Sequence, residues 1–544
     1  MDIYPSKAQF STNETVTLCL ICDDVLPISV HIRVLLLSKT VWEQNIVLTE
    51  NKTTVSIGAF SATFAGYGVN VYQQKDLEKP ILQTAFDVAE SPRKLLRYGF
   101  LSDFTEKDRD NGALEWLLKC HINLVQFYDW SYRHDSLVAP QEDYHDMMGK
   151  EISGSTVKAK IAKAKALGMH PTAYGAEYAA SKPFFEKHQE PFVFIDVFYI
   201  MNIAEGSPWR KHLFEEYQSA ISMMGFSGIH MDTYGFPKTA YSHLDAIPKK
   251  IKLENELPTL IDETRENVHG EEEPYLIFNN VGAWPVQRTA DRKQDAVYIE
   301  VWPPYDRYAS IAQLIRDART YAKDDKSTIL AAYLKPFREG KREKALPAAK
   351  LLMGSIVSNG ATHLLTGENQ TALTQGYYSD YTKFSESEAE AIRRYYDYMI
   401  RYENLFFDSE LQDVTMTHTG WDNYEYQCTN HKVSSYGEAG KIWMILREKD
   451  YRKCIYLLNL CGQSEDYWNE GKEEPNIQKD IKFTVQVDTP VEKICFSTPD
   501  GENMDAIELS FTERATKTGK FIDFTVPSLN YWTTIWIDTR KETI

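Results

Sequence analysis

The stretch Gly228-Ile229-His230-Met231-Asp232-Thr233-Tyr234-Gly235 organises the reading of the whole chain. A helix-like run, Trp209 to Met224, stops at Gly225 just before it. The apolar residues that follow have the length of a short buried strand, and they end in an acid, an aromatic and a glycine. A carboxylate where a buried strand meets its loop needs a partner, because an isolated charge is costly in a core. In a parallel barrel that position is the rim where chemistry is done. An Asp that opens a turn or caps the next helix is the alternative, and the rest of the chain bears on the choice.

On both sides of this stretch, strands and helices alternate. Candidate strands are 98–104, 123–130, 170–178, 228–234, 275–281, 297–302, 328–335 and 362–367. Amphipathic runs separate them at 112–120, 156–167, 209–224, 311–322 and 348–357, and 385–404 reads as a closing helix. Gly168, Gly225 and Gly360 each stand between a helix and a strand, where a left-handed cap is expected. Eight such units predict a (β/α)8 TIM barrel. A doubly wound open sheet is the alternative, but no Gly-rich phosphate fingerprint follows the first strand.

The flanks have a different rhythm. Residues 1–94 carry short β-rich runs with polar or Gly breaks and predict an N-terminal immunoglobulin-like sandwich, with Ser91-Pro92-Arg93 as its exit. The barrel is expected over 95–408. A second β-sandwich is expected over 409–544, with a polar loop at 464–478.

Composition narrows the function. A net charge of −18 argues against a nucleic-acid or anionic-membrane partner. The 33 Tyr and 11 Trp suit sugar binding, since sugar C–H faces stack on rings; Tyr-rich β cores explain them equally well. No apolar run is long enough to span a membrane, and Met1-Asp2-Ile3-Tyr4-Pro5 lacks a signal pattern. A cytoplasmic protein is expected, or a secreted one whose signal has been removed. Seven scattered cysteines suggest no disulfide framework, and Cys19 and Cys22 read as ordinary buried thiols rather than half of a zinc site. No cofactor and no catalytic metal are expected, so activity should survive chelation; a structural calcium stays open. A monomer is expected.

The strand ends carry Asp103; Gln126, Tyr128, Asp129 and Trp130; Tyr174 and Glu177; His230 and Asp232; Asn279 and Asn280; Glu300 and Trp302; Lys335; and Glu368 with Asn369. Two carboxylates with aromatic platforms are the equipment of glycoside hydrolysis. Asp232 and Glu300 end the fourth and sixth strands and can face each other across a barrel mouth. Glu300 lies in an apolar strand, where burial would raise its pKa as an acid catalyst requires; a structural ion pair is its alternative. His230 reads as a residue supporting the site from behind.

The segments Arg97-Tyr98-Gly99-Phe100-Leu101-Ser102-Asp103-Phe104, Gln126-Phe127-Tyr128-Asp129-Trp130-Ser131-Tyr132-Arg133-His134-Asp135 and Gly228-Ile229-His230-Met231-Asp232 resemble glycoside hydrolase family 66. That family contains endo-dextranases and cycloisomaltooligosaccharide glucanotransferases, and its sandwich–barrel–sandwich order is the one expected here. The resemblance implies Asp232 as nucleophile and Glu300 as acid/base. It implies substrate contacts at Gln126, Tyr128, Asp129, Tyr174, Asn279, Trp302 and Lys335, and Trp130 is added as a cleft wall. It also implies an α-1,6-glucan or isomaltooligosaccharide substrate. The glucanotransferases carry a carbohydrate-binding module inserted in the barrel, for which no connection here has room. The expected activity is therefore a retaining endo-hydrolase of dextran. A cycloisomaltooligosaccharide glucanotransferase or other transglycosylase is the alternative, and a non-catalytic glucan-binding protein is the alternative from another class.

Overall fold

The computed structural model describes residues 1–110, 112–188, 190–195, 198–323, 325–420 and 423–540. Eight parallel strands form its centre: β1 (Tyr98–Leu101), β2 (Leu124–Phe127), β3 (His170–Ala176), β4 (Gly228–Asp232), β5 (Tyr275–Val281), β6 (Ala296–Glu300), β7 (Ser327–Ala331) and β8, in two pieces at Thr362–His363 and Thr366–Gly367. Each pairs with its neighbours in sequence. The first piece of β8 pairs with β7 and the second with β1, so the ladder closes on itself. The break at Leu364 and Leu365 is bridged by Leu364 N–H donating to Leu330.

Helices α1 (Ala113–Lys119), α2 (Gly154–Ala166), α3 (Pro208–Ser219), α4 (Leu253–Asn267), α5 (Val286–Thr289), α6 (Tyr308–Ala322) and α7 (Ala345–Ser358) lie between the strands. Helix α3 continues as one π turn, Ala220–Met224. Gly168, Gly225 and Gly360 have φ of 71°, 87° and 86°, the left-handed caps that the sequence predicts.

Strand parity decides which side chains enter the barrel, because alternate residues share a face. Tyr98 and Phe100, Tyr275 and Ile277, Ala296 and Tyr298, and Ile329 and Ala331 fill the interior as one apolar cluster. The next residues of the same parity, at the carboxyl ends, line the mouth. Residues of opposite parity pack outward against the helices in a second, larger core.

Residues before the barrel form a three-stranded and a five-stranded sheet around one apolar core. Residues after it form a seven-stranded and a four-stranded sheet around another. Helix α8 (Glu386–Arg401) ties the first set to the barrel: Thr84 donates to Asp397 at 2.7 Å and Arg401 to Asn70 at 2.9 Å. All seven cysteines are free thiols; Cys22 is buried and Cys19 half-buried. No helix among the described residues is long and apolar enough to cross a membrane.

The connections after β2, β3 and β4 carry small hairpins that the strand–helix pattern does not reveal. These are 143–145 with 151–153, 191–195 with 198–201, and 239–242 with 249–252. They rise from the end of the barrel that holds Asp232.

Candidate active site

Asp232 and Glu300 both sit half-buried at the floor of a cleft of about 370 Å³. One residue joins them. Asn279 Nδ2 donates to Asp232 Oδ1 at 2.7 Å and to Glu300 Oε2 at 3.1 Å. Two bonds from one nitrogen hold those oxygens within about 6 Å of each other. Parity explains the meeting: Asp232, Asn279 and Glu300 all continue the inward faces of β4, β5 and β6. A tyrosine completes each carboxylate. Tyr174 OH donates to Asp232 Oδ2 at 2.7 Å, and Tyr333 OH to Glu300 Oε1 at 2.5 Å.

The electrostatics follow from burial without a counter-charge. Asp232 is pushed up to about 7, first by burial and then by the charge of Glu300. The donors Asn279 and Tyr174 pull the other way. Glu300 is raised by burial and held back by Tyr333, Asn279 and Trp302. Both acids therefore resist ionisation, where the sequence suggests a raised pKa for Glu300 alone. Two carboxyls this close favour sharing one proton over carrying two charges.

The other expected residues divide. Gln126, Tyr128, Tyr174, Asn279 and Trp302 line the cleft. Trp302 is 40% exposed and meets Tyr333 edge-on, with ring centres 5.6 Å apart. Tyr128 stacks on Tyr378 at 4.4 Å. Gln126 is buried and its Oε1 lacks a partner among the described residues. Asp129 lies beside the cleft with φ of 48°, pushed up to about 7 by burial, then by Asp146 and Asp232. His230 lines the floor, bonded through Nδ1 to Tyr98 OH at 2.9 Å. Burial takes it down to about 3, so it is neutral and supports the floor.

Two expected positions are corrected. Trp130 is fully buried, packs on Phe226 at 4.7 Å and donates to the Tyr174 carbonyl, so it is core and not a cleft wall. The chain turns at Asp129 and carries the next side chain away from the mouth. Lys335 lies in a neighbouring groove, paired with Glu470 at 2.5 Å. β7 ends at Ala331, so Tyr333 takes the place at the rim that the sequence gives to Lys335. Further lining comes from Tyr234, Phe236, Gly376 and Tyr378, none of them picked out by the sequence. The signal available for the last two was a Gly-Tyr-Tyr run in the connection after β8. Glu177 and Asn280 are not among the cleft residues: Glu177 is buried with burial driving its pKa well up, and Asn280 donates to the Tyr298 carbonyl.

A parallel barrel with paired acids and aromatic walls at its carboxyl end is an arrangement that glycoside hydrolases use. The model of glycosyl hydrolase family 66 matches residues 5–536, and the chain belongs to that family. Two cycloisomaltooligosaccharide glucanotransferases of Niallia circulans are 22% and 20% identical over 84% of this chain. The chain spans 62% and 63% of their lengths. A crystal structure of a Paenibacillus sp. cycloisomaltooligosaccharide glucanotransferase complexed with cycloisomaltoheptaose superposes with a TM-score of 0.88 at 17% identity, covering 98% of this chain and 99% of that one. A maltogenic α-amylase of Thermotoga neapolitana gives 0.52 at 12% identity, covering 82% and 99%.

Proposed function

We propose that the protein is a retaining endo-hydrolase of α-1,6-glucan, with Asp232 as nucleophile and Glu300 as acid/base. The observation that carries the reading is the Asn279 bridge. It holds one oxygen of each carboxylate within about 6 Å of the other, which supports the roughly 5–5.5 Å spacing of retaining enzymes over the roughly 6.5–9.5 Å of inverting ones. Asp232, ionised when substrate enters, attacks the anomeric carbon while Glu300 gives its proton to the departing oxygen. Glu300 then takes a proton from water, which displaces Asp232 from the glycosyl-enzyme. Tyr174 and Asn279 favour the anion on Asp232 in each half of the cycle. Trp302 and Tyr128 offer faces to the sugar, with Gln126 and Asp129 beside them. The working unit would be a barrel at 95–408, with sandwiches at 1–94 and 409–544.

The substrate class is supported by the names of the relatives. Those names also favour a second reading, transfer to a cyclic product. Hydrolysis is preferred because the alignment with one glucanotransferase runs for 621 positions, more than this chain's 544 residues. That relative thus carries inserted sequence within the aligned span that this chain lacks. The test is one product profile from dextran. Linear isomaltooligosaccharides of retained anomeric configuration are expected. Predominantly cyclic products would replace hydrolysis by transfer, and no turnover of dextran at all would remove the substrate assignment.

A further inference from the structure

At the amino-terminal end of the barrel, away from the cleft, a pocket of about 230 Å³ opens between the starts of β7 and β8. Lys94, Arg319, Ser327, Thr328, Gly360 and Phe407 are among its walls. Arg319 stands near the end of α6 and is half-buried. Among the described residues its guanidinium makes no hydrogen bond and no ion pair. Asp325, which lines the same pocket, and Asp413 favour its charge without pairing with it. A second guanidinium lies behind it: Arg447, buried, donates to the carbonyls of Phe406 and Leu411.

The two meet over Gly360. A Cβ there would stand 2.4 Å from Arg319 Nη1 and 3.0 Å from Arg447 Nη1. Burial, and then Arg447, pull Arg319 down to about 10, so it stays charged at neutral pH. Cations do gather at helix carboxyl ends to meet the dipole, and the neighbouring lysines are accounted for without a ligand. Lys94 pairs with Glu90 at 3.3 Å, Lys323 with Asp291 at 2.7 Å, and Lys326 donates to the carbonyls of Ala290 and Arg292. Arg319 is not accounted for in that way, because it caps no carbonyl. Independently, Thr328, which lines the same pocket, is 2% exposed, and its buried hydroxyl lacks a partner among the described residues. An unpaired arginine on the cavity, a second guanidinium behind it and an unused hydroxyl beside it ask for an anion.

We propose that this pocket binds a small oxyanion of the phosphate class, held by the Arg319 fork and the Thr328 hydroxyl with Arg447 behind. Two guanidinium charges side by side balance a doubly charged phosphate better than a single carboxylate, and the planar fork fits its oxygens. Calorimetric titration of the full chain tests this, with inorganic phosphate, glucose 6-phosphate and acetate as probes. Phosphate is expected to bind the wild type and acetate to bind at least about tenfold more weakly. Arg319→Gln should lose at least about tenfold in phosphate affinity, and Thr328→Val severalfold. Arg319→Lys, which keeps the charge and loses the fork, should fall between wild type and Arg319→Gln. Glucose 6-phosphate as tight as phosphate, or tighter, would mark a phosphorylated small molecule as the occupant; weaker binding would mark the free ion. Thermal unfolding without ligand should show Arg319→Gln at least as stable as wild type, since a like-charge contact is relieved. The proposal fails if the wild type does not bind phosphate in the millimolar range, or if Arg319→Gln and Thr328→Val both bind it as well as wild type does.

Discussion

Two acid sites, one at each end of the barrel, are compensated in opposite ways. Near the amino-terminal end, Asp87 is fully buried and accepts from Arg97 Nη1 at 3.0 Å, Arg97 Nη2 at 3.1 Å and Gln9 at 2.5 Å. Arg97 spends its remaining donors on the carbonyls of Ala8 and His121. At the carboxyl end, the donors to Asp232 and Glu300 among the described residues are neutral, Tyr174, Asn279 and Tyr333 foremost. Glu368 is intermediate, with Lys160 at 3.5 Å and the Ser102 and Asp103 amides beside it. The contrast is physical. A buried acid bonded to an arginine fork ties the first sheets to the barrel, so it serves structure. A pair held by neutral donors alone can trade a proton near neutrality, which acid–base work requires.

Removing the acid at each end should separate these roles most sharply. Asp232→Asn is expected to lower kcat on dextran by more than about 10⁴-fold, because no nucleophile is left. The same change should stabilise the fold at pH 7. The Asp232 carboxyl is raised to about 7 in the fold against 3.8 for its ordinary value. Between those values the folded state holds a proton that the unfolded state has lost, so stability falls as pH rises. Denaturant melts should show Asp232→Asn above wild type at pH 7 and the gap closing toward pH 4. An equal or lower stability at pH 7 would mean that the cleft acids are better compensated than the geometry indicates.

Glu300→Gln comes next, with a loss of about 10²- to 10⁴-fold on dextran. An aryl glycoside with an activated leaving group needs no proton, so its first step should persist. Azide needs no base and should speed Glu300→Ala, giving a product of the substrate's own anomeric configuration. Product anomers read by NMR check this; the opposite configuration would exchange the roles of the two acids. At the other end, Asp87→Asn strands Arg97 in the core. It should cost about 3–5 kcal/mol of stability and leave kcat/KM per folded molecule within about twofold of wild type.

What the sequence reveals follows the same division. Asp232, Glu300 and Asn279 are legible because each stands near the carboxyl end of an apolar strand on its inward parity. Parity also separates Asn279 from Asn280, although both are amides at one strand end. Trp130 and Lys335 depart from expectation for one shared reason: their strands are shorter than the pattern predicts. β2 ends at Phe127 and β7 at Ala331, and past a strand's end alternation no longer says where a side chain goes. Tyr378 and Gly376 reach the cleft from a connection whose path depends on contacts distant in sequence. The Arg97–Asp87 pair joins the first sheets to the barrel base, and neither residue's local pattern announces the other. The split of β8 was equally hidden, since Thr362 to Gly367 reads as one continuous run.

The smallest effects test the comparison most finely. Tyr174 and Tyr333 each donate one hydrogen bond to one of the two acids, so their phenylalanine variants remove about 1–2 kcal/mol of anion stabilisation apiece. Activity should fall roughly tenfold or less in each. The direction of the pH change should differ. A hydroxyl donor favours the ionised carboxylate, so its loss raises the pKa of the acid it served. For Tyr174→Phe that acid is Asp232, which must be ionised to attack, so the acid limb of kcat/KM should move to higher pH. For Tyr333→Phe it is Glu300, which must be protonated to assist departure, so the basic limb should move to higher pH. The first variant thus narrows the active range from below and the second widens it from above, each by about one unit. If Tyr333→Phe moved the acid limb and Tyr174→Phe the basic one, Glu300 would be the group that must be charged, and the nucleophile would stand on β6 rather than β4.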